Sequence, residues 1–338
     1  MDMRGIAKIA GVSSATVSRV INGSSAVRPA TAKRVQQVIE ELQFFPNSNA
    51  TTLKQGKSGV YGLIIPDITN PFFPEVIRGF ERILVDNDRE MFMATTEFHP
   101  SRIQQSVRRM LIRKVDGVAL LASEIETGPI ESLIHNRVPL VTMDRRQTGS
   151  GLSDVLVDTT RGMTSAIAHL RSLGHRKIGF IGGSLGRSIS DHRFQAFATA
   201  MQENGMAVKP DFVRVGDYRV PGGERAMREL LSLKNRPTAL LAANDLTAIG
   251  ALRAIRESGL SVPNDFSVIG CDDIDLCDLL WPPLTTLRTA RDELAGLFFK
   301  ALEGAKADPH APGSQFAIEP YLVVRNSTGP ARAASAKA

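Results

Sequence analysis

Aromatic and hydrogen-bonding side chains follow successive apolar runs of this 338-residue sequence. The candidates are Phe72, Phe73, Asp144, Arg187, Arg193, Tyr218, Asn244, Asp245 and Asp272. Aromatic faces cover the C–H surface of a sugar ring, and Asp, Asn and Arg bond its paired hydroxyls. These residue types therefore favour a polyhydroxylated ligand. Arg187 and Arg193 would also suit an acidic sugar or a phosphate, and stacked aromatic rings would suit a purine.

Two patterns in the same segments are typical of enzymes. Residues 182–186 fit the G-x-S-x-G nucleophile turn, which requires an acid and then a histidine further along the chain. His192 lies too close, and His310 lies in a loop rich in Pro and Gly. Asp272 and Asp273 have no His or Cys at the spacing of metal ligands. We therefore expect no catalytic residue, no metal and no cofactor, but a glycine-rich turn that faces ligand.

Strands and helices alternate through the region that carries these residues. Strands are predicted over 59–65, 91–95, 118–122, 140–143, 155–157, 178–181, 212–215, 239–242 and 266–270. Helices are predicted over 71–85, 102–113, 164–173, 193–203, 224–231 and 247–258. Strands rich in Val, Ile and Leu indicate parallel sheets covered on both faces, and they are too many for one ordinary sheet. We predict two doubly wound α/β lobes, with ligand at the carboxyl ends of their strands.

Basic residues are concentrated at the N-terminus. Residues 1–60 contain eight Lys or Arg and three Asp or Glu, so they carry +5 of the chain's net charge of +6. Such a segment is typical of proteins that bind nucleic acid, although a solvated charged face is an alternative. No apolar run is long enough for a membrane span, and no signal peptide is recognisable. We expect a cytoplasmic, nucleoid-associated protein without a membrane partner.

The basic segment has the apolar periodicity of three short helices. The residues predicted to face inward are Ile6, Ala7, Ile9 and Ala10 in the first helix, Val17, Val20 and Ile21 in the second, and Val35, Val38, Ile39 and Leu42 in the third. Gly11 ends the first helix, and Ser13 is the N-cap candidate of the second. Two short helices joined by a turn that contains glycine indicate a helix-turn-helix, with a generic helical bundle as the alternative.

An ordered pattern runs from Ile6 to Asn22, reading Ile-Ala-x-x-Ala-Gly-Val-Ser-x-x-Thr-Val-Ser-Arg-Val-Ile-Asn. Glu41-Leu42-x-Phe44-x-Pro46-Asn47 and Leu53-Lys54 continue it. This pattern closely resembles the head of the lac repressor–galactose repressor family of bacterial transcription regulators. The resemblance extends to residue 328 and is most telling over 243–249 and 282–286. Gly5 replaces the usual acidic residue, and because Gly costs about 1 kcal/mol inside a helix, we expect the first helix to be shorter or frayed.

The resemblance implies which residues of the head contact DNA. Ser14, Ala15 and Arg19 occupy the base-reading positions, and Arg19 can bond guanine through two N–H groups or clamp a phosphate instead. Residues 47–54 would be a hinge helix, although their Asn, Ser and Thr content predicts little helix without DNA. Leu53 would enter a minor-groove base step. The full expected set is Ser14, Ala15, Thr16, Ser18, Arg19, Asn22, Asn47, Ala50, Leu53 and Lys54.

The resemblance also implies a domain plan. It consists of a helix-turn-helix DNA-binding domain (1–46), a hinge (47–57), a ligand-binding and dimerisation domain (58–330) and a flexible tail (331–338). The first lobe would comprise about 58–157 and 288–316, and the second about 158–285 and 318–330. Phe73, Arg193 and Asp245 match positions that contact ligand in the family, whereas Phe72, Asp144, Arg187 and Tyr218 match positions used by some members. Thr289 is shorter than the polar residue common at its interlobe position.

The combined pattern predicts a ligand-responsive transcription regulator. It would bind a palindromic operator as a homodimer and repress carbohydrate-utilisation genes, with a sugar or sugar acid as effector. A cytoplasmic sugar-binding protein or a hydrolase that does not use DNA is the alternative, but it would leave the basic segment without a role. Whether the effector releases or strengthens DNA binding stays open at this point.

Overall fold

The computed structural model describes residues 2–21, 24–44, 57–121, 127–183, 188–308 and 311–332. The chain divides into two compact units, Met1–Ser58 and Gly59–Ala338, which we call the head and the body. Six residues of the predicted sites lie outside the described residues, namely Asn22, Asn47, Ala50, Leu53, Lys54 and Arg187. Within the described ranges, no helix is long and apolar enough to cross a membrane.

Three helices form the described part of the head: α1 Met3–Ala10, α2 Ser14–Ile21 and α3 Pro29–Glu41. The Asp2 carboxylate accepts a hydrogen bond from the Gly5 N–H at 3.0 Å and caps α1. Because this cap holds the first turn, α1 begins ahead of Gly5, and the shortening predicted from that glycine does not occur. Gly11 follows at a φ of 62°, and Ser13 Oγ accepts from the Thr16 N–H at 3.2 Å as α2 begins.

The core of the head is made by the apolar stripes of the three helices. Its buried side chains are Ile6, Ala7, Ala10, Val17, Val35 and Val38. Two predicted core residues are wrong, since Ile9 is 55% exposed and Leu42 is 37% exposed. Ile9 lies on the flank of the stripe at 100° per residue, and Leu42 is the C-cap, beyond the last helical residue of α3.

Two six-stranded sheets form the body. The first lobe contains β1 Val60–Ile65, β2 Glu90–Thr95, β3 Gly117–Leu120, β4 Leu140–Met143, β5 Leu152–Val157 and β11 Gln315–Ile318, in the order β11-β5-β4-β3-β1-β2. The second contains β6 Ile178–Gly182, β7 Val213–Val215, β8 Ala239–Ala242, β9 Ser267–Asp272, β10 Thr285–Arg288 and β12 Tyr321–Val323, in the order β12-β10-β9-β8-β6-β7. Of these pairs, β10 with β12 is antiparallel and the others are parallel.

Helices cover both sheets. The first lobe carries α4 Phe72–Asp86, α5 Pro100–Ile112, α6 Thr127–His135 and α11 Arg291–Ala307, and the second carries α7 Thr160–Ser172, α8 Ser188–Glu203, α9 Val220–Ser232 and α10 Asp245–Glu257. The chain passes between lobes after β5, β10 and β11. The last two of these crossings follow Arg288, where β10 ends, and Ile318, where β11 ends.

Glycines let α9 and α10 pack at close range in the second lobe. A Cβ on Gly223 would stand 2.2 Å from the Thr247 carbonyl oxygen, and one on Gly250 would stand 2.1 Å from that of Val220. This contact fixes the start of α10 beside the end of β8. It therefore positions Asn244 at the carboxyl edge of the sheet, where ligands of parallel α/β folds bind.

Candidate functional site

A cleft of about 890 Å³, its open mouth included, lies where the carboxyl ends of the strands of the two lobes face each other. The first lobe contributes Asn70, Phe72, Phe73, Asp144 and hydrophobic neighbours, and the second contributes Arg193, Tyr218, Asn244, Asp272 and Thr289. Seven of the nine predicted effector residues therefore meet in one cavity. Arg187 and the residues just before it lie outside the described chain.

Arg193 and Asp272 form a buried ion pair at the centre of the second lobe's wall. The guanidinium lies 3.4 Å from Asp272 Oδ1, donates to the Ala243 carbonyl and stands 5.8 Å from the Tyr218 ring centroid. Burial raises the pKa of Asp272 to about 7, although the charge of Arg193 opposes that rise. The pair presents a fixed donor and a fixed acceptor, which is the arrangement that binds adjacent hydroxyl groups.

Asp144 places a second carboxyl group in the cleft from the end of β4. One of its oxygens accepts a hydrogen bond from the Val157 N–H at 2.7 Å, which leaves the other for a ligand. Burial raises its pKa to about 6, and the Val157 bond and nearby Arg193 work against that rise. Four residues of the cleft have positive φ values, which are unfavourable for residues with a Cβ: Phe98 (62°), Asp144 (59°), Tyr218 (63°) and Asp272 (124°).

Phe72 and Phe73 form an aromatic wall at the start of α4. Their rings meet edge to face at 83° with centroids 5.3 Å apart. Asn70 Oδ1 accepts from the Phe72 N–H at 3.1 Å and holds this turn in place. Both rings are mainly buried, yet both line the cleft, so they belong to the core and to the site at once.

Asn244 caps α10 and also lines the cleft. Its oxygen accepts from the Thr247 N–H at 3.0 Å and from the Thr247 hydroxyl at 2.6 Å, and its amide donates to the Tyr218 carbonyl at 3.0 Å. These bonds join the ends of three elements, which makes Asn244 a residue that shapes the wall.

Asp245 does not line the cleft, and its predicted contact with the effector stays a prediction. It is fully buried, and its carboxylate accepts from the Thr286 hydroxyl at 2.5 Å, the Ile274 N–H at 2.9 Å and the Cys277 thiol at 3.2 Å. As the first residue of α10 it points behind the sheet edge, not across it. Its role in the structure is to hold the loop that follows Asp272.

The predicted DNA-contacting residues that the structure describes all lie on α2. Ser14, Ala15 and Arg19 are exposed, Thr16 and Ser18 are half-buried, and Val17, which is fully buried, lies opposite Arg19. A short exposed helix that follows a glycine turn can enter the major groove of DNA.

Comparisons with known proteins identify the family. Residues 2–47 match the bacterial regulatory proteins of the lacI family, and residues 167–328 match the periplasmic binding protein-like domain. The chain is 34% identical over 326 residues to the ribose operon repressor of Haemophilus influenzae, covering 96% of this chain and 98% of that protein. The chain belongs to the lacI family of bacterial regulatory proteins. This lacI-family chain is also 33% identical over 327 residues to the HTH-type transcriptional repressor PurR of Actinobacillus pleuropneumoniae, covering 96% and 97%.

Solved structures agree with this family assignment. A lac repressor dimer bound to operator and the anti-inducer ONPF is 25% identical with a TM-score of 0.87, over 97% of this chain and 99% of that one. A LacI-family regulator from Enterococcus faecium with bound ribose is 28% identical with a TM-score of 0.71, over 81% and 100%. The predicted family and the predicted fold class are confirmed.

Several residues of this lacI-family cleft escaped the sequence analysis because they are apolar and resemble core. They are Phe98, Ile103, Leu121, Met143 and Val157. Three of the five, Phe98, Met143 and Val157, follow or end a predicted strand, so their position along the chain, not their residue type, was the available signal.

An ion pair and a hydrogen bond from an arginine to a backbone carbonyl bridge the lobes beside the cleft. Arg219 of the second lobe donates to Asp67 Oδ2 of the first at 2.9 Å. Arg291 pairs with Glu75 on α4 and donates to the Asp272 carbonyl at 2.7 Å. Thr289 is too short to make such a contact, and Arg291, two residues further on, supplies it.

Proposed function

We propose that this protein is a repressor that binds a palindromic operator as a homodimer and responds to a small effector held in the cleft. The effector is a sugar or sugar acid, and the regulated genes serve carbohydrate use. The protein acts in the cytoplasm on the nucleoid, and its cleft binds without catalysing a reaction.

One observation carries this proposal: a single chain joins an exposed helix-turn-helix face to a cleft with a buried Arg193–Asp272 pair. A protein that only binds a ligand does not need the helix-turn-helix face. A DNA-binding protein that responds to no ligand does not need the cleft. Relatives named ribose operon repressor and a neighbour with bound ribose support the sugar class.

The effector acts by changing the relative arrangement of the two lobes. The polar groups that would hold it come from both lobes, so a bound ligand favours the closed arrangement by its differential affinity. A tenfold change in operator affinity requires about 1.4 kcal/mol of coupling. We propose that residues 47–54 pass this change to DNA, with Leu53 as the minor-groove wedge. Backbone hydrogen exchange at residues 47–54 should slow when operator binds and change again when effector is added. Equal exchange in the free protein, the operator complex and the effector complex would contradict this mechanism.

A gel-shift assay on the DNA upstream of the chain's own gene tests the proposal. The full chain should retard this DNA, and a chain lacking residues 1–57 should not. A thermal-shift screen identifies the effector, because bound ligand stabilises the fold. Addition of this effector should alter the retardation by the full chain. Retardation by the shortened chain would contradict the proposal.

A further inference from the structure

The helix α11 runs from the cleft side of the first lobe to the opposite edge of its sheet. Its 17 residues span roughly 25 Å, at about 1.5 Å per residue. It packs along β3, β4 and β5 through an apolar face, whose buried side chains are Leu294, Ala295, Phe298, Ala301 and Leu302. Because a helix held along its length keeps its ends at a fixed distance, a shift of one end of α11 reaches the other.

The start of α11 holds a loop of the second lobe beside the cleft. Arg291 pairs with Glu75 of α4 and donates to the Asp272 carbonyl at 2.7 Å. Glu75 also accepts from the Asp275 N–H at 3.2 Å, so two residues of the first lobe bond the same loop. The carboxyl group of Asp272 forms the ion pair with Arg193 in the cleft. A ligand that displaces Asp272 therefore acts on the first residue of α11.

The last turn of α11 holds the residues at which β1 begins. Lys306 donates to Asp116 Oδ2 at 2.7 Å and to the Tyr61 hydroxyl at 3.1 Å. The same carboxylate oxygen accepts from the Gly59 N–H at 3.3 Å, and the Asp116 N–H donates to the Val60 carbonyl at 2.8 Å. Gly59 is the first residue of the body and lies two residues after the predicted hinge. A displacement of Lys306 therefore reaches the point at which the hinge joins the body.

The Lys306–Asp116 ion pair is buried, with side chains 14% and 4% exposed. Replacement of such a pair by well-packed apolar residues is often neutral or stabilising, so stability alone does not account for it. Each partner also bonds a residue of β1, Lys306 through the Tyr61 hydroxyl and Asp116 through the backbone of Gly59 and Val60. These directed bonds fix the position of α11 relative to the start of β1, which apolar contacts do not.

We infer that α11 transmits the arrangement of the cleft to the start of β1, and that Arg291 and Lys306 are the positioning residues at its two ends. The inference rests on the proposed function and adds to it the element through which the effector reaches the hinge. Release of either end interrupts this connection. Release of both ends therefore changes operator binding little more than release of one.

A double-mutant cycle on operator affinity, measured by fluorescence anisotropy with the full chain, tests this inference. Arg291→Met and Lys306→Met each keep an apolar stem and remove the charge. Each should change operator affinity by about fivefold or more, in the same direction, which is the lower end of typical allosteric coupling. The double variant should stay within about twofold of the larger single effect. Two independent sites this far apart would instead multiply, to about 25-fold or more.

Two controls separate positioning from general damage to α11. Lys300→Met removes a cation of the same helix that is exposed and also lies over an aromatic ring, with its Nζ 5.5 Å from the Phe316 centroid. It should change operator affinity less than about twofold. Lys306→Arg keeps a charged donor for Asp116 and should retain the wild-type affinity within the same limit. If the unpaired carboxylate in Lys306→Met prevents folding, Asp116→Asn is added and the cycle uses that pair.

The outcomes separate the inference from the proposed function. Multiplication of the two single effects, no effect of either single variant, or an equal effect of Lys300→Met would overturn the inference and leave the proposed function standing. Absence of operator binding by the wild type would contradict the proposed function itself.

Discussion

Arg19 is the residue of α2 most suited to read a base. It is exposed, it lies on the side opposite Val17, and its fork of N–H groups matches the acceptors of guanine. Arg19→Ala should cost about 1–3 kcal/mol on operator DNA and relax the preference at one base pair of each half-site. Fluorescence anisotropy on operator and random DNA measures both effects.

Lys8→Ala is the matched control, since Lys8 is an exposed cation of α1 outside the predicted contact set. It should lower affinity for operator and random DNA to the same degree, if at all. If Arg19→Ala behaved in the same way, Arg19 would be a phosphate contact and its assignment to base reading would be wrong.

Asp144 should make the stability of the body depend on pH. Its folded pKa of about 6 lies above the usual 3.8, mainly because of burial. A raised pKa means that the group's stabilisation is present below about pH 4 and is lost as the pH rises through 6. Asp144→Asn keeps an acceptor for Val157 and cannot ionise. It should therefore raise the free energy of unfolding at pH 8, by up to about 3 kcal/mol, and leave it nearly unchanged at pH 4.

Urea unfolding of the wild type and of Asp144→Asn at the two pH values measures this difference. If the variant were equally stable or less stable than the wild type at pH 8, contacts that Asn cannot replace would stabilise the ionised Asp144 carboxylate and offset the cost of its burial.

Neighbouring residues show how far sequence reasoning reaches at this scale. Asn244 and Asp245 follow the same strand and both looked like ligand contacts. Asn244 lies at the edge of the sheet. Asp245 is the first residue of α10, and its side chain bonds the Ile274 N–H in the loop after Asp272. Both are polar residues that come directly after the same strand, so the sequence does not distinguish them. Only the direction of the side chain does.

At the scale of elements, the contact of α9 with α10 holds the second lobe's wall in place. Gly250→Ala would force a Cβ against the Val220 carbonyl at 2.1 Å, so the helices must separate. Because the displaced backbone cannot relax without breaking this packing, we expect the free energy of unfolding to fall by about 1–3 kcal/mol or more, as at other overpacked sites. Chemical denaturation measures it.

Gly296→Ala is the control for that experiment. Gly296 lies within α11, and a Cβ there meets nothing within 4 Å. Because alanine is the better helix former, this variant should gain about 0.5–1 kcal/mol. A Gly250→Ala variant that gained stability as well would show that the close approach of α9 and α10 is not required.

Regular elements with apolar cores were predictable, and short polar ones were not. The predicted limits of β4 and β8 agree with the structure because both are continuous buried runs between turns. β10 was not predicted as a strand, since it contains Thr285 and Thr286, which are polar yet fully buried. Their burial is offset by partners distant in the sequence: Thr286 donates to Asp245, and Thr285 Oγ1 accepts from the Arg325 N–H. α11 was also not predicted, because no side-chain cap marks its start.

At the scale of the whole molecule, the charge distribution predicted the division of the chain into a basic head and a nearly neutral body. The segment with most of the excess positive charge forms the compact head, and the nearly neutral remainder forms the two lobes with their cleft. The shape of the cleft was beyond the sequence, because it depends on which loops meet across the lobes. Asp67 and Arg219, which pair there, are 152 residues apart in the chain.

A dimer that reads a specific DNA sequence should select that sequence from a random pool. Repeated selection of bound fragments by the full chain from a pool of random double-stranded DNA measures this property. One palindrome, whose half-sites are read by two copies of α2, should be enriched, and the enrichment should be lost in a chain lacking residues 1–57. No enriched sequence, or the same enrichment with the shortened chain, would contradict it.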